Sequence, residues 1–289
     1  MTTPSPWRLM WNEIYNDKLA LFCLILFAGI VLTSYIWSAQ FSTDDIERIY
    51  LMRRNKPPCP QFKLGTDMVG RDMVIQLVVG ARNSFTIAFI VTLVSSAIGI
   101  TVGLFAGFYG GYIDSAMMRF IDFLIIVPTF MVSIVLITML PSTPFMLGLI
   151  LTVFGWLGTA RAIRMMTLRQ SVMDYVKASK TLGTPNVKII FFGVLPNIIS
   201  FVVVSLTLSI ANNIGIETGL TFLGFGMPFT TPSLGTLIAQ AADPSTMRNR
   251  PWQWLPAAVL ILIITLCINY VGQALNRAAD VRRRRGAYH

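Results

Sequence analysis

The chain has 289 residues, of which 54% are hydrophobic and only 12% are charged. This composition excludes an ordinary soluble domain and predicts an all-α protein that crosses a membrane several times. The formal net charge of +10 is carried largely by basic residues that flank apolar runs, so it reflects membrane topology, and nucleic-acid binding is not expected.

Six apolar runs predict six transmembrane helices. A helix needs about 20 apolar residues to span a bilayer, and the runs lie at residues 19–37, 84–108, 120–141, 145–160, 198–216 and 255–275. The fourth run is short, and we expect its helix to continue past Arg161, whose long side chain can reach polar surroundings. An even number of spans places both termini on one side of the membrane, predicted to be the cytoplasmic side.

Residues 1–18 precede the first span and combine aromatic, aliphatic and polar residues. They predict a cytoplasmic amphipathic helix at the membrane surface, with a disordered tail as the alternative. The first span, residues 19–37, exceeds the ~7–15 apolar residues of a secretory signal, so it is expected to be retained. Cys23 and Cys267 lie within spans and Cys59 stands alone outside them, so no disulfide is expected on the outer face.

Residues 38–83 form the first long loop, which is predicted to be extracytoplasmic. A proline-rich break at residues 55–60 is followed by glycine-containing blocks at residues 64–67, 70–72 and 80–84. Glycines that alternate with acidic and basic residues indicate a tight, hydrogen-bonded entry into the second span.

The second span carries a stripe of small residues at intervals of four. They are Ser95, Gly99, Gly103 and Gly107. Small residues let another helix approach closely, so we interpret them as a helix-packing face, although glycine is also common in membrane helices generally. The third span contains Pro128, which predicts a kink; the kink is either a hinge beside a pathway or a purely structural feature.

Residues 161–193, here called the elbow, separate the fourth and fifth spans and are strongly basic. Apart from Asp174, the charged residues are Arg161, Arg164, Arg169, Lys177, Lys180 and Lys188. Such a loop is expected on the cytoplasmic side, as is the basic tail at residues 277–289, which should contact anionic lipid. One helical face carries Met165, Leu168, Val172, Tyr175, Val176, Ser179 and Leu182.

The end of this amphipathic pattern predicts a turn between two helices. Gly183 is expected to stop the first helix, Thr184 to be the N-cap of a second, and Pro185 to lie in its first turn. The elbow is therefore predicted to be a structured helix-turn-helix element on the membrane surface.

The fifth span contains Asn212 and Asn213 and has Glu217 at its outer end. Polar side chains in a span are costly unless they are partnered or face water, so the asparagines are expected either to line a pathway or to bond neighbouring helices. Glu217 is a further candidate for lining the pathway. Residues 217–254 are apolar but rich in Gly and Pro, and we place this segment at the outer mouth rather than in a span.

Six residues of the elbow and of the start of the fifth span are spaced as in a known sequence pattern. The positions concerned are Lys177, Ala178, Ser179, Gly183, Leu195 and Pro196. The pattern resembles the signature loop of permease subunits of binding-protein-dependent ABC importers. Lys177 stands where the family carries Glu, Ser179 where it carries Ala, and Gly193 where it carries Ile. The alternative is an ordinary amphipathic loop at the membrane surface.

Two further blocks, residues 64–84 and 217–235, are similar to segments of one branch of this family, the C-type permeases of oligopeptide, dipeptide and nickel importers. Thr221 replaces a family Ser, Leu234 a family Trp, and Gln273 in the last span an Asp that family members often carry. The resemblance covers roughly residues 64–280 and weakens towards the N-terminus.

The resemblance implies the fold of a type I ABC importer permease, with residues 84–276 as its transmembrane core. It implies that the elbow is a coupling helix that docks on an ATPase subunit. The implied partners are a second homologous permease, two ATPase subunits, an extracytoplasmic binding protein and membrane lipid. ATP and Mg would be bound by the ATPases, whereas this chain would be non-catalytic and bind no cofactor. The implied location is a bacterial or archaeal cell membrane.

Peptides are the expected substrates, and nickel or a metal chelate is the alternative. A stand-alone secondary transporter, a channel and a membrane scaffold are further alternatives. The sequence has no Walker A pattern, its one histidine is His289, and no residues have metal-ligand spacing. Acidic residues sit near the ends of the predicted spans, whereas proton-coupled carriers usually need buried ionisable groups. These features favour a chain that depends on a partner for energy.

Overall fold

The computed structural model describes residues 6–42, 45–46, 48–141 and 143–286, with side chains described between residues 11 and 278. Residues 1–5 and 287–289 of the predicted terminal segments lie outside this part. Most of the described residues are helical and none belongs to a β-strand, which confirms the all-α prediction. The helices are α1 Pro6–Asn16, α2 Lys18–Ser38, α3 Met73–Tyr109, α4 Gly111–Ile126, α5 Thr129–Met139, α6 Pro144–Ser171, α7 Asp174–Thr181, α8 Asn186–Phe222, α9 Leu234–Ala239, α10 Pro244–Asn249 and α11 Leu255–Gly286.

Five of the described helices are long and apolar enough to cross a membrane, namely α2, α3, α6, α8 and α11. Helices α4 and α5 together make a sixth candidate span, and they are bent by 73° at the break between them. The break is caused by Pro128, which disfavours helical backbone at Val127; that residue is extended, with φ −66° and ψ 129°. The predicted kink is thus confirmed, and its role as a hinge stays a prediction.

The second span begins earlier than predicted. The predicted span starts at residue 84, but α3 starts at Met73, where the Asp72 carboxylate accepts a hydrogen bond from the Val74 amide at 2.8 Å. The polar residues of the added turns have partners: Gln76 donates to the Ile46 carbonyl at 3.0 Å and Asn83 to the Pro232 carbonyl at 2.7 Å. The first long loop is therefore residues 39–72 rather than 38–83.

Helices α3 and α6 lie in direct backbone contact along the small-residue stripe. A Cβ atom on Gly103 would lie 2.6 Å from the Ala160 carbonyl oxygen, and one on Gly107 would lie 2.7 Å from that of Arg164. Ser95 is buried at the end of the same stripe, where its hydroxyl donates to the carbonyl of Val91. The packing partner of the stripe is therefore the fourth span of the same chain.

Two hydrophobic clusters form the main core. One joins α2, α3, α8, α9 and α11 and contains Phe85, Ile214 and Leu234, which are fully buried. The other joins α3, α6, α7 and α8 and contains Leu104 and Ile190. The first cluster organises the half of the bundle that includes α9, and the second organises the half that carries the elbow.

The first and last described helices, α1 and α11, pack together. The helix predicted before the first span is present as α1, and it packs on α11, where Ile14 joins the buried Val271 and Leu275. Arg277 forms an ion pair with Asp17, which caps α2, and a second with Glu13 at 3.6 Å. The amphipathic N-terminal helix is therefore fastened to the last span as well as facing outward.

Candidate functional site

Helix α7 is the central element of the elbow, and it is held to the core by Val176. Within α7, which is described in full, Val176 is the buried residue, at 0% exposure. It packs into the cluster that contains Leu104 of α3 and Ile190 of α8. Val176 therefore ties α7 to these two spans.

The rest of α7 faces outward. Lys177 and Ala178 are exposed, and the Ser179 hydroxyl donates to the carbonyl of Tyr175 at 2.8 Å. The Lys177 ammonium lies 3.1 Å from the carboxylate of Asp174, but both side chains are exposed, so this pair adds little stability. Lys177, Ala178 and Ser179 are thus free of the transmembrane core and available to a partner.

Gly183 ends α7 in a left-handed conformation, with φ +74°. Its amide donates to the Lys180 carbonyl at 3.0 Å, and the Thr184 amide donates to the Ser179 carbonyl at 3.1 Å. These two bonds are those of a Schellman motif, which favours glycine at this position because a side chain would strain the backbone.

The predicted N-cap at Thr184 is wrong. Thr184 is used to close the Schellman motif, and Pro185 takes the N-cap position of α8, which begins at Asn186. The predicted continuous helical face is also interrupted, because α6 ends at Ser171 and α7 begins at Asp174. Val172, at 63% exposure, lies in this break.

Apolar side chains flank the Gly183 turn on its outer surface. Leu182 is 84% exposed and Val187 is 51% exposed. Lys180 is exposed, and its ammonium lies 4.6 Å from the ring centroid of Phe108 in a cation–π contact. Partial burial raises the pKa of the Tyr175 phenol, which donates to Gln170 at 2.9 Å. The elbow thus combines exposed apolar side chains with positive charge.

The end of the elbow is already helical. Residues 186–194 belong to α8, and Ile189–Val194, which includes Gly193, form a π-helical turn. Leu195 and Pro196 follow directly. The widened turn accommodates Pro196, whose ring would otherwise clash with a carbonyl of the preceding turn. The predicted boundary of the elbow at residue 193 therefore lies inside a continuous helix.

Two ion pairs connect α6 with α4 near the elbow. Arg164 forms a bidentate pair with Asp114, whose side chain is 13% exposed, and Arg161 pairs with Asp122. The sequence predicts Arg161 and Arg164 only as basic residues of the elbow, without acidic partners. The sequence feature that could have predicted these ion pairs is the opposite charge carried by two consecutive spans, acidic on the third and basic on the fourth. Partial burial makes the Arg164–Asp114 pair the stronger of the two.

The structure separates the two asparagines of α8. Asn213 is buried, and its amide donates to the Thr92 hydroxyl of α3 at 2.9 Å. Asn212 is exposed and lines a cavity beside α8. Of the two interpretations left open by the sequence, interhelical bonding describes Asn213, whereas Asn212 stays a candidate for lining a pathway.

Glu217 is fully buried and does not lie at an exposed outer end. It accepts hydrogen bonds from Ser84 at 2.9 Å and from Thr221 at 3.1 Å. The Ser84 hydroxyl in turn accepts a bond from the Leu234 amide at 3.0 Å. Glu217 therefore fastens the start of α9 to α3 and α8 and is sheltered from solvent in this chain.

The segment after Glu217 is more than a surface loop. Leu234 and Leu237 of α9 belong to the main core cluster, and Ser233 and Thr236 form a capping box at the start of α9. Gly235 packs on Thr221, because a Cβ atom there would lie 2.6 Å from the Thr221 Cβ. The predicted outer mouth segment thus folds back into the protein, and its exposed part includes Phe229 at 58% exposure.

Comparison with known proteins identifies the family. Residues 99–285 match the family described as the binding-protein-dependent transport system inner membrane component, and residues 5–58 match the N-terminal TM domain of oligopeptide transport permease C. The chain belongs to this permease family. The resemblance found in the elbow and in residues 217–235 is confirmed, although the family match extends closer to the N-terminus than the motifs at residues 64–280 indicate.

The permease is similar to several proteins over nearly its whole length. It is 44% identical to the oligopeptide transport system permease protein OppC of Lactococcus lactis subsp. lactis, over 94% of this chain and 93% of that protein. It is 33% identical to OppC of Bacillus subtilis, over 97% and 91%. It is 31% identical to the oligopeptide transport system permease protein AmiD of Streptococcus pneumoniae, over 97% and 91%.

Membership of this family gives the permease a transport role in a membrane and sets aside the alternatives of a stand-alone carrier and a scaffold. It also gives the described surfaces a context. In a permease, an outward-facing element such as α7 is a natural contact for a further subunit, and a polar cavity between spans is a natural place for a transported molecule.

Proposed function

We propose that this permease is a transmembrane subunit of an ATP-driven ABC importer that takes up peptides. The observation that carries the proposal is the 44% identity, over 94% of the chain, to a permease named for oligopeptide transport. The permease would form half of the pathway, a second homologous permease would form the other half, and an extracytoplasmic binding protein would deliver the peptide.

Energy would come from two ATPase subunits that bind ATP and Mg, because this chain carries no Walker A pattern. The elbow supports this proposal. It presents Lys177 and Ala178 of α7 outward, with Leu182 beside them, and Val176 ties the same helix to the core. Movement of an ATPase subunit against α7 would thereby tilt α3 and α8.

The experiment that tests the proposal is transport by a reconstituted complex. The permease, the second permease, two ATPases and the binding protein are incorporated into proteoliposomes, and the uptake of a labelled tetrapeptide and of Ni²⁺ is measured with and without ATP. Peptide uptake that requires both ATP and the binding protein supports the proposal. Uptake of Ni²⁺ but not of peptide would assign the permease to a metal importer instead.

We further propose that both termini and the elbow are cytoplasmic, since the elbow and the tail hold dense clusters of Lys and Arg. The test uses a background in which Cys23, Cys59 and Cys267 are replaced. A cysteine introduced there at exposed Ser245 is expected to react with a membrane-impermeant thiol reagent added outside cells, and one at Lys177 is expected to react only after the cells are opened. Labelling of the Lys177 site from outside would contradict this topology. Gln240 is not suitable for this labelling, because it is buried, at 5% exposure, and a reagent could not reach a cysteine there.

A further inference from the structure

A polar cavity of about 360 Å³ lies beside the middle of α8, open on one side. Its volume falls in the range of small-molecule sites. Polar side chains from two helices line it, and they are Ser205, Ser209 and Asn212 of α8 and Asn276 of α11. The walls also include Phe201 and Leu208. The cavity therefore carries hydroxyl and amide groups but no charged side chain among its described lining residues.

These four polar side chains differ from Thr207 and Asn269, which lie on the same two helices. Thr207 donates to the Val203 carbonyl of its own helix at 2.9 Å, and Asn269 donates to Thr265 in the same way at 2.8 Å. Such bonds satisfy a polar group locally in an apolar setting. By contrast, the four cavity side chains have no hydrogen-bond partner among the described residues.

Unpartnered polar groups in a span are costly against lipid, so the open side of the cavity faces water or another protein surface. Asn212 shows this most clearly, because it is exposed while its neighbour Asn213 is buried and bonded to Thr92. The stripe has the register of one helix face, since Ser205, Ser209 and Asn212 are four and then three residues apart.

The chemistry and dimensions of the stripe fit a peptide main chain. Hydroxyl and carboxamide groups both donate and accept hydrogen bonds, as successive peptide amides require. Ser205 and Asn212 are seven residues apart, which is about 10 Å along a helix and matches about three residues of extended peptide. A bare metal ion would instead favour carboxylate, imidazole or thiolate ligands.

We propose that these four side chains form a subsite in the translocation pathway that holds the main-chain amides of a peptide in transit. The inference rests on the proposed function as a peptide permease and adds a location and a mode of recognition. Because the subsite binds main-chain amides through neutral groups, it accepts peptides of varied sequence, and Phe201 and Leu208 contact their side chains without selecting a charge.

The test compares two variants of α8 in the reconstituted complex. Asn212→Leu keeps the approximate size of the side chain but removes its amide. The matched control, Thr207→Val, removes a hydroxyl that is already bonded within the helix and lines a different, apolar cavity. We expect the initial rate of peptide uptake to fall roughly three- to tenfold for Asn212→Leu and to stay within about twofold of wild type for Thr207→Val.

A second measurement distinguishes the subsite from a contact between helices. Asn212→Cys is introduced in a background in which Cys23, Cys59 and Cys267 are replaced, and its reaction with a small water-soluble thiol reagent is followed. The proposal predicts reaction without peptide and protection when peptide and binding protein are supplied during ATP turnover. A cysteine that is unreactive and instead cross-links to the second permease in every state would overturn it.

The outcomes separate the two proposals. If the wild-type complex takes up no peptide, the proposed function is refuted and the subsite with it. If the wild-type complex takes up peptide and Asn212→Leu does so at the wild-type rate, the proposed function stands and the subsite is refuted.

Discussion

Replacing Gly103 with leucine is expected to prevent the permease from folding into a stable bundle. A Cβ atom at this position would lie 2.6 Å from the Ala160 carbonyl oxygen and 2.8 Å from the Ile163 Cβ, and the backbone of α6 cannot move aside as a flexible side chain would. Overpacking of this kind costs about 1–3 kcal/mol, and more where the neighbour cannot yield. We expect a large loss in the yield of monodisperse protein and a lower midpoint of thermal unfolding.

Gly158→Leu is the matched control, because Gly158 lies on α6 with no atom within 4 Å of a built Cβ. The control should retain its yield and its unfolding midpoint within a few degrees. If Gly103→Leu behaves like Gly158→Leu, close contact between α3 and α6 is not needed for stability. Gly103→Ala should also be harmed, since the clash begins at the Cβ atom.

Replacing Gly183 with valine is expected to uncouple peptide uptake from ATP hydrolysis while the permease stays in the membrane. Gly183 has φ +74° with open space around it, so the effect comes from the backbone and not from a steric contact. A left-handed conformation costs an L-residue about 1–2 kcal/mol, and a β-branched residue suffers most. Such strain shifts the turn away from the Schellman geometry by about tenfold in population and moves Leu182 and Thr184.

Gly183→Asn is the control, because asparagine tolerates the left-handed region. Uptake, ATP hydrolysis and the amount of assembled complex are measured together for both variants. We expect Gly183→Asn to resemble wild type, and Gly183→Val to lose most of its uptake at a normal membrane level. Normal uptake by Gly183→Val would refute the role of this turn in coupling.

The sequence predicts those features that depend on local patterns. The kink at Pro128 follows from the chemistry of one residue, and the α7 stop at Gly183 follows from one backbone conformation. The stripe that includes Gly103 is visible as a period of four. Each of these signals is contained within a few neighbouring positions, which is why the sequence alone suffices for them.

Other features depend on contacts between distant segments and could not be predicted in this way. Residues 73–83 include Gln76 and Asn83, whose polar side chains are accommodated only by distant carbonyls, those of Ile46 and Pro232. Glu217 is buried because Ser84 and Thr221 satisfy it. The difference between Asn212 and Asn213 is likewise invisible until α3 is placed beside α8, since the two residues are adjacent and chemically identical.

The contact between Arg277 and Asp17 imposes an order on the biogenesis of the permease. The two residues are 260 positions apart, and a chain emerges from the ribosome with its N-terminal segments first. Helix α1 and the start of α2 are therefore made long before their partner, and they must wait beside the bilayer until α11 is inserted. Docking of α1 onto α11 thus occurs only when the last span is in place. A chain whose synthesis stops before α11 therefore lacks the helix that holds α1 in place.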